Sequence, residues 1–400
     1  MNILLLNQFF WPDGAATSQL LTDLAIYLEE HGHAVTVICG SSSYADAGSS
    51  KVPKVRIIRT LNVSFAHGAV HRLLSYLTFY AGAVWHGLQV SRPDLVVTLT
   101  TPPLLSLAGT LLKTFRGARH FSWEMDVYPD VAVDVNVFRS TSWSSRLTGF
   151  LADYARQKAD GIIALGECMY GRLMARGVPP EKVHIAENWA DGTVIRPQPP
   201  ASSHCLTILY SGNLGLPHDV DTISAAMDQL KADDRFHFLF IGAGPRRKSL
   251  EQFCRSKELP HVSFAPHLKR DQLSQSLASA HIGLVTQRTE CLGSVVPSKI
   301  YGVMAAGRPV LFIGPRQATP SLIIERYQCG WHVDCGDTAG VVFLLQKLAA
   351  QPQLVRQAGF RARQAFVEHY DLPIRLARVC DILGVSQQTP QERAQQAAVG

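Results

Sequence analysis

The sequence predicts an α/β chain made of two Rossmann-like, doubly wound domains with an interdomain cleft. Three observations carry this. Short apolar runs alternate with amphipathic stretches over most of the 400 residues. The alternation breaks at a polar bridge holding Pro197, Pro199, Pro200, Ser202 and Ser203, then begins again. The length, at about 150 residues per domain, suits two or three domains.

In the first half, residues 3–6 read as a strand, followed by a loop and a helix over 18–31. Gly32 stands where a helix C-cap glycine belongs, and a second strand follows over 34–39. Further strands are predicted at 55–59, 95–99, 120–123, 161–165 and 183–185, with Pro93 and Asp94 opening the one at 95–99. In the second half strands are expected at 206–210, 236–241, 262–264, 282–286 and 309–313. Helices fall near 219–231, 246–257, 270–279, 297–306 and 319–327, and 337–351, 353–369 and 372–384 are strongly helical. The domains expected are 1–197 and 198–370, with a helix at 371–385 crossing back to the first and a frayed tail at 386–400.

Composition narrows the function. At 46% hydrophobic and 8% aromatic the chain is not disordered. Its 38 basic against 32 acidic residues make a mild surplus of +6, short of a nucleic-acid footprint, so no nucleic-acid partner is expected. The eight cysteines include no Cys-x-x-Cys pair, so no metal site or redox motif is signalled, and free thiols in a reducing compartment are expected. The N-terminus carries no basic n-region or small-residue cleavage site and reads as a strand, which suggests a cytoplasmic protein.

Residues 73–90 are almost uncharged, but Ser75, Thr78, His86 and Gln89 argue against a membrane span. From Ala47 to Pro93 there is no Asp or Glu, while Lys51, Lys54, Arg56, Arg59, Arg72 and Arg92 are present. This stretch therefore reads either as a packed domain helix or as a helix lying against the anionic inner-membrane surface.

Four loops present residues suited to an anionic ligand. After the first strand, Trp11-Pro12-Asp13-Gly14-Ala15-Ala16-Thr17-Ser18 lets backbone amides approach an anion or a sugar, and a plain turn capped by Thr17 or Ser18 is the structural alternative. Ser211-Gly212-Asn213-Leu214-Gly215 follows a strand, with His218 close behind. Gly242-Ala243-Gly244-Pro245 follows the next, and Arg246, Arg247 and Lys248 supply counter-charge for a diphosphate. Arg247 occupies the third glycine position of Gly-x-Gly-x-x-Gly, which speaks against a dinucleotide enzyme. In the fourth loop Ser294, Val296, Pro297 and Ser298 lead to a short helix with Lys299 in its first turn. A cation there opposes the helix dipole unless an anion is bound nearby.

Read together, these segments resemble the retaining family 4 glycosyltransferases of the GT-B fold, in particular the bacterial enzymes of colanic-acid, O-antigen and capsule assembly. The likeness rests on Asn7-Gln8-Phe9-Phe10-Trp11-Pro12, Gly32-His33-Ala34-Val35-Thr36-Val37, Asp126-Val127-Tyr128-Pro129 and Asn188-Trp189-Ala190-Asp191. Tyr210-Ser211-Gly212-Asn213-Leu214-Gly215 and the run from Val296-Pro297-Ser298-Lys299 to Ala305-Ala306-Gly307-Arg308-Pro309-Val310 complete it. The resemblance implies a UDP-sugar in the C-terminal domain and an acceptor in the N-terminal one. It also implies transfer with no metal and no resident cofactor, the diphosphate being neutralised by helix N-termini and cations. Asp219-Val220-Asp221 accordingly reads as the opening of a helix. The wider family carries two Glu residues eight positions apart where this chain has Ser294 and Gly302, so the usual ribose-binding carboxylate is missing.

The donor side is thus expected to use Gly212, Asn213, Gly215, His218, Gly242, Gly244, Arg246, Lys248, Ser294, Val296, Pro297, Ser298 and Lys299, with Gly14, Ala15, Ala16 and Thr17 on the acceptor side. Asp126 is the first choice to orient or deprotonate an acceptor hydroxyl, and Glu124 the second. The partners expected are a UDP-sugar, a lipid-linked glycan acceptor and the inner-membrane surface. A sugar-nucleotide epimerase or a silent nucleotide-sugar binder on the same scaffold are the alternatives.

Overall fold

The computed structural model describes residues 1–41, 53–60, 69–199, 205–266 and 272–385. Lys51, Pro200, Ser202, Ser203, the start of the 270–279 helix and the 386–400 tail lie outside those residues, as does the side chain of Arg72.

The chain divides into two compact units. One holds Met1–Leu165, Tyr170–Ala186 and Leu376–Gly400; the other holds Gly166–Met169 and Glu187–Arg375. The boundary expected at 197/198 is corrected to 186/187. Ile195 is buried in the core of the second unit, Arg196 donates its amide to Ser274 Oγ, and Arg308 holds the Gln198 carbonyl at 2.6 Å. The start of the proline-rich bridge is therefore docked chain.

The first unit runs β1 (Asn2–Leu6), α1 (Ala16–Glu30), β2 (Ala34–Gly40), β3 (Arg56–Thr60), α2 (Ala69–Gln89), β4 (Leu95–Thr98) and α3 (Ser106–Arg116). It continues through β5 (Arg119–Trp123), α4 (Asp130–Asp134), α5 (Trp143–Lys158), β6 (Gly161–Ala164), α6 (Glu167–Ala175) and β7 (Val183–Ile185). Its seven strands lie parallel in the order β3-β2-β1-β4-β5-β6-β7. Residues 3–6 of β1 and 95–98 of β4 are wholly buried, as expected of strands covered on both faces. Leu4, Leu6, Ile38, Phe79, Val96, Leu105 and Leu112 join helices α2 and α3 to that sheet.

The second unit comprises β8 (Leu206–Ser211), α7 (Asp221–Gln229), β9 (Phe236–Ile241), α8 (Pro245–Ser256), β10 (Val262–Ala265), α9 (Leu273–Ala278), β11 (Ile282–Thr286) and α10 (Lys299–Ala305). Then come β12 (Val310–Ile313), α11 (Thr319–Tyr327), β13 (Gly330–Val333), α12 (Thr338–Ala350), α13 (Pro352–Ala365) and a π-helical turn at Phe366–Tyr370, after which α14 (Leu372–Leu383) passes into the first unit at Leu376. Six parallel strands are ordered β10-β9-β8-β11-β12-β13. Edge strand β13 is absent from the sequence prediction because Gly-Trp-His-Val is neither an apolar run nor a clean alternation, and three of its four residues are only half-buried.

Both sheets reverse direction at one place, between β1 and β4 in the first and between β8 and β11 in the second. Crevices outside the carboxyl ends of strands open at such switch points. The loops after β1, β4, β8 and β11 are therefore where each unit presents a ligand site.

Candidate functional site

In the second unit the turns after β8 and β9 close onto each other. The Gly212 amide donates to the Ile241 carbonyl at 2.8 Å, and the Leu214 amide to that of Ala243 at 2.6 Å. Gly242 has φ +128°, and a Cβ there would sit 2.1 Å from the Gly212 carbonyl oxygen; Gly244 is crowded in the same way by Leu214. These two glycines serve the approach of one backbone to another. Gly212, at φ +123°, differs: its added Cβ would lie 2.8 Å from Lys299 Cε. Gly215 is half-buried, and Asn213 is exposed with its carbonyl taking the Tyr210 hydroxyl at 2.8 Å.

Lys299 opens α10 beneath that turn. Its Nζ lies 3.3 Å from His218 Nε2 and 5.2 Å from the centre of the Tyr210 ring. His218 Nδ1 is 2.8 Å from the Thr286 carbonyl, so Nδ1 carries the hydrogen and Nε2 offers a lone pair to the ammonium. Burial pushes the Lys299 ammonium down to about 8. His218 is driven down to about 3, chiefly by burial and then by Lys299, so it is neutral at physiological pH. His218 is therefore no solvated loop residue. It bridges the β8 loop to the end of β11, across the switch point.

Arg246 reaches Asp221 at 2.9 Å and lies close enough to His218 to oppose its protonation. Arg247 instead grips the Gly242 and Ala265 carbonyls and Glu251, bracing the β9 turn. Lys248 is exposed on α8, and nothing joins it to the Lys299 group. Asp219 accepts from Thr222 N at 3.0 Å at the start of α7, a helix-opening role. Among the described residues no group of three or more His, Cys, Asp or Glu stands close enough to hold a metal ion.

The loop after β11 is built around the buried amide of Gln287, which donates to the carbonyls of Cys291 at 2.8 Å and Val295 at 3.1 Å. Ser294 is fully buried, with its hydroxyl and its amide both donating to Cys291 O, so it shapes the turn and presents nothing to a ligand. Val296 and Pro297 are buried in the approach to α10. That helix begins at Lys299, two residues after the expected start, because Ser298 is the N-cap. Ser298 makes no side-chain cap, which leaves the amides of Lys299 and Ile300 without a protein acceptor beside the ammonium. Gly302 is half-buried, and a Cβ there would find ordinary contacts at 3.7 Å from Leu277 and 3.9 Å from Ile195.

In the first unit, α1 starts at Ala16 behind Ala15, which is extended and cannot cap through its side chain. Neither Thr17 nor Ser18 caps the helix, contrary to the simple-turn alternative, and the first-turn amides stay free beside Gly14. Arg59, grouped with the membrane-facing cations in the sequence, donates to the Trp11 carbonyl at 2.6 Å and so ties β3 to this loop.

Asp126 follows β5, its amide donating to Thr100 Oγ1 at 3.3 Å from the loop after β4. Burial, and then the neighbouring Glu124, push its carboxyl up to about 6. Glu124 is different. It is 2% exposed and held by Arg156 at 3.1 and 3.4 Å and by the Ser122 hydroxyl at 2.9 Å. Both of its oxygens are thus engaged within the unit, which fits a structural role at the end of β5. Arg156, which sequence reasoning missed, also holds the Tyr128 carbonyl at 2.9 Å. A cavity of about 20 Å³ beside Thr100, Ser122 and Arg156 has room for roughly one water.

Two family descriptions cover most of the chain: residues 16–189 match the glycosyl transferase 4-like domain, and residues 193–365 match the glycosyl transferases group 1. WbjE of Pseudomonas aeruginosa, described as a probable glycosyltransferase, is 26% identical over 272 residues, covering 65% of this chain and 67% of that one. WcaI of Escherichia coli (strain K12), named for colanic acid biosynthesis glycosyl transfer, is 27% identical over 159 residues, 37% of this chain and 39% of that protein. Anabaena HepE, solved with UDP and glucose, has a TM-score of 0.75 at 14% identity and covers 96% of this chain and 100% of its own. With these two descriptions matching residues 16–189 and 193–365 of a chain built on two parallel, doubly wound sheets, the chain belongs to the GT-B-fold glycosyltransferases.

Proposed function

We propose that the chain transfers a sugar, with retention, from a UDP-sugar to a lipid-linked glycan during surface polysaccharide assembly. The observation that carries this is the half-buried Lys299 ammonium packed under the Gly212 turn at the second unit's switch point. A cation so desolvated, facing free amides beside a neutral His218 and the Tyr210 ring, is poised for an anion of the size of a diphosphate. HepE, which shares the fold, is solved with UDP and glucose, and WcaI is named for colanic acid biosynthesis; both support the donor and the setting.

As the glycosidic bond to the diphosphate breaks, Lys299 and the α10 amides take up the charge developing on the leaving oxygen, and Arg246 adds to it. No metal is required for that neutralisation. Asp126, held near neutral pH, orients the acceptor hydroxyl. The acceptor enters on the face the diphosphate leaves, and the departing phosphate takes its proton.

Thermal melts with UDP, GDP and their sugars test the donor. UDP at 100 times its Kd adds about 2.7 kcal/mol of stability. Stabilisation by GDP alone removes the uridine assignment, and stabilisation by neither removes the enzymatic reading. Lys299→Met is expected to abolish the UDP shift while the protein still folds.

A further inference from the structure

Helix α3 packs against α2 on one side and α5 on the other, and this layer turns bulky apolar groups outward. On α5 the usual arrangement is inverted. Its buried positions are Ser145, Gly149, Ala152, Ala155 and Arg156, whereas Trp143, Leu147, Phe150 and Tyr154 are exposed, Trp143 at 72% and Phe150 at 69%. Steps of four, three and four residues put those four side chains on one stripe. Neighbouring α3 exposes Leu111 and, at 69%, Phe115, one turn apart. A helix facing water alone carries polar residues there, and a contiguous apolar stripe marks a contact surface.

Charge indicates what it contacts. Helices α2 and α3 contain no carboxylate. The only one on α5, Asp153, is neutralised by Arg176 at 2.6 Å and Arg156 at 3.2 Å. Exposed Arg146 stands one turn from both Trp143 and Phe150, and Lys158 Nζ lies 5.8 Å from the centre of the Tyr154 ring. The stripe is thus aromatic and edged with cations, with no unpaired negative charge. Pairing with a second copy across a two-fold axis would set these cations against each other. A sheet of anionic headgroups over an apolar layer satisfies both the rings and the cations.

We propose that the α3–α5 face of the first unit docks on an anionic phospholipid bilayer, with Trp143, Phe150 and Phe115 at the headgroup–acyl boundary and Arg146 on phosphates. This rests on the reading that the acceptor is lipid-linked. It adds α3 and α5 to the membrane contact that the sequence placed on α2, which itself exposes Leu73, Leu74, Leu77 and Trp85. Among the described residues no helix is long and apolar enough to cross a membrane.

The test is sedimentation of the full chain with vesicles of phosphatidylglycerol and phosphatidylcholine, against phosphatidylcholine alone. Preferential, salt-sensitive binding to the anionic vesicles is expected. The variant Trp143→Ser with Phe150→Ser should lose about tenfold or more in partitioning, with its melting temperature and UDP shift unchanged. The off-face variant Lys54→Gln with Arg56→Gln should lose much less. Three results overturn the proposal: equal binding by the first variant, no preference for anionic lipid, or self-association of the wild type that the first variant abolishes. Vesicle binding is read without nucleotide. Binding with no UDP shift therefore sinks the donor assignment alone, and a UDP shift with no vesicle binding sinks the docking face alone.

Discussion

Lys299 Nζ sits 3.3 Å from His218 Nε2, and the far side of that imidazole is fixed by the Thr286 carbonyl. The ring cannot accept a proton without breaking one of those contacts, so the charge stays on the lysine. A bound diphosphate would stabilise the ammonium further, and its affinity should then follow the lysine's protonation. UDP binding measured by calorimetry is expected to be flat near pH 7 and to weaken as the pH rises through about 8, where Lys299 deprotonates. The free protein behaves oppositely. Its folded-state lysine is depressed from the ordinary value, so stability rises with pH between about 8 and 10.5. Lys299→Met should remove both slopes.

The two central glycine positions separate ligand binding from folding. Gly242→Ala drives a methyl into the Gly212 carbonyl at a left-handed φ and is expected to cost about 2–4 kcal/mol in denaturant unfolding. Gly212→Ala meets the far end of a flexible side chain instead. Its main effect should be on UDP affinity, about tenfold or more, through displacement of Lys299, with a smaller loss of stability.

Asp126→Asn is expected to abolish transfer and to stabilise the protein. The folded carboxyl is raised to about 6 from an ordinary value of 3.8. The native state therefore holds its proton more tightly than the unfolded chain, and stability falls as pH rises between those values. Above pH 6 the amide variant avoids that penalty and should gain about 1–2 kcal/mol by urea titration. Wild-type kcat/KM should show an ascending limb near pH 6. A helpful but dispensable turn residue at 126 would leave turnover intact.

Breaking the Arg156–Glu124 pair tests whether Glu124 is structural. Both side chains are about 3% exposed, so Arg156→Met strands a buried carboxylate and should cost about 3–5 kcal/mol. Glu124→Gln keeps a hydrogen-bonding group and should retain measurable transfer. Loss of all turnover from a folded Glu124→Gln protein would restore that carboxylate to the chemistry.

Gly302→Ala in α10 should raise stability by about 0.5–1 kcal/mol, since the site has space and the helix gains propensity. UDP binding should be unchanged if the nucleotide ribose is held elsewhere.

The strands were legible in the sequence where apolar runs were long and continuous, as in β1, β9 and β12. β13 was not, because an edge strand of four mixed residues leaves no pattern. The site was legible as loops: Gly212, His218 and Lys299 do come together. Which glycines face a ligand and which face another backbone depends on tertiary approach, and spacing carries no record of it. Ser294 was expected on the donor side, yet its turn closes around Gln287 and Cys291. Arg156, 32 residues from Glu124, is invisible to any local reading. The outward stripe on α5 hides for the opposite reason, since a helical periodicity of apolar residues is ordinarily read as the inward face.

Residues from Leu376 onward group with the first unit, after the whole second unit has intervened. During synthesis, an emerging N-terminal half waits for a piece that leaves the ribosome only when its sibling is already made. Its maturation is thus coupled in time to that of the second unit, and a nascent chain stalled before position 376 exposes an unfinished surface to chaperones and proteases.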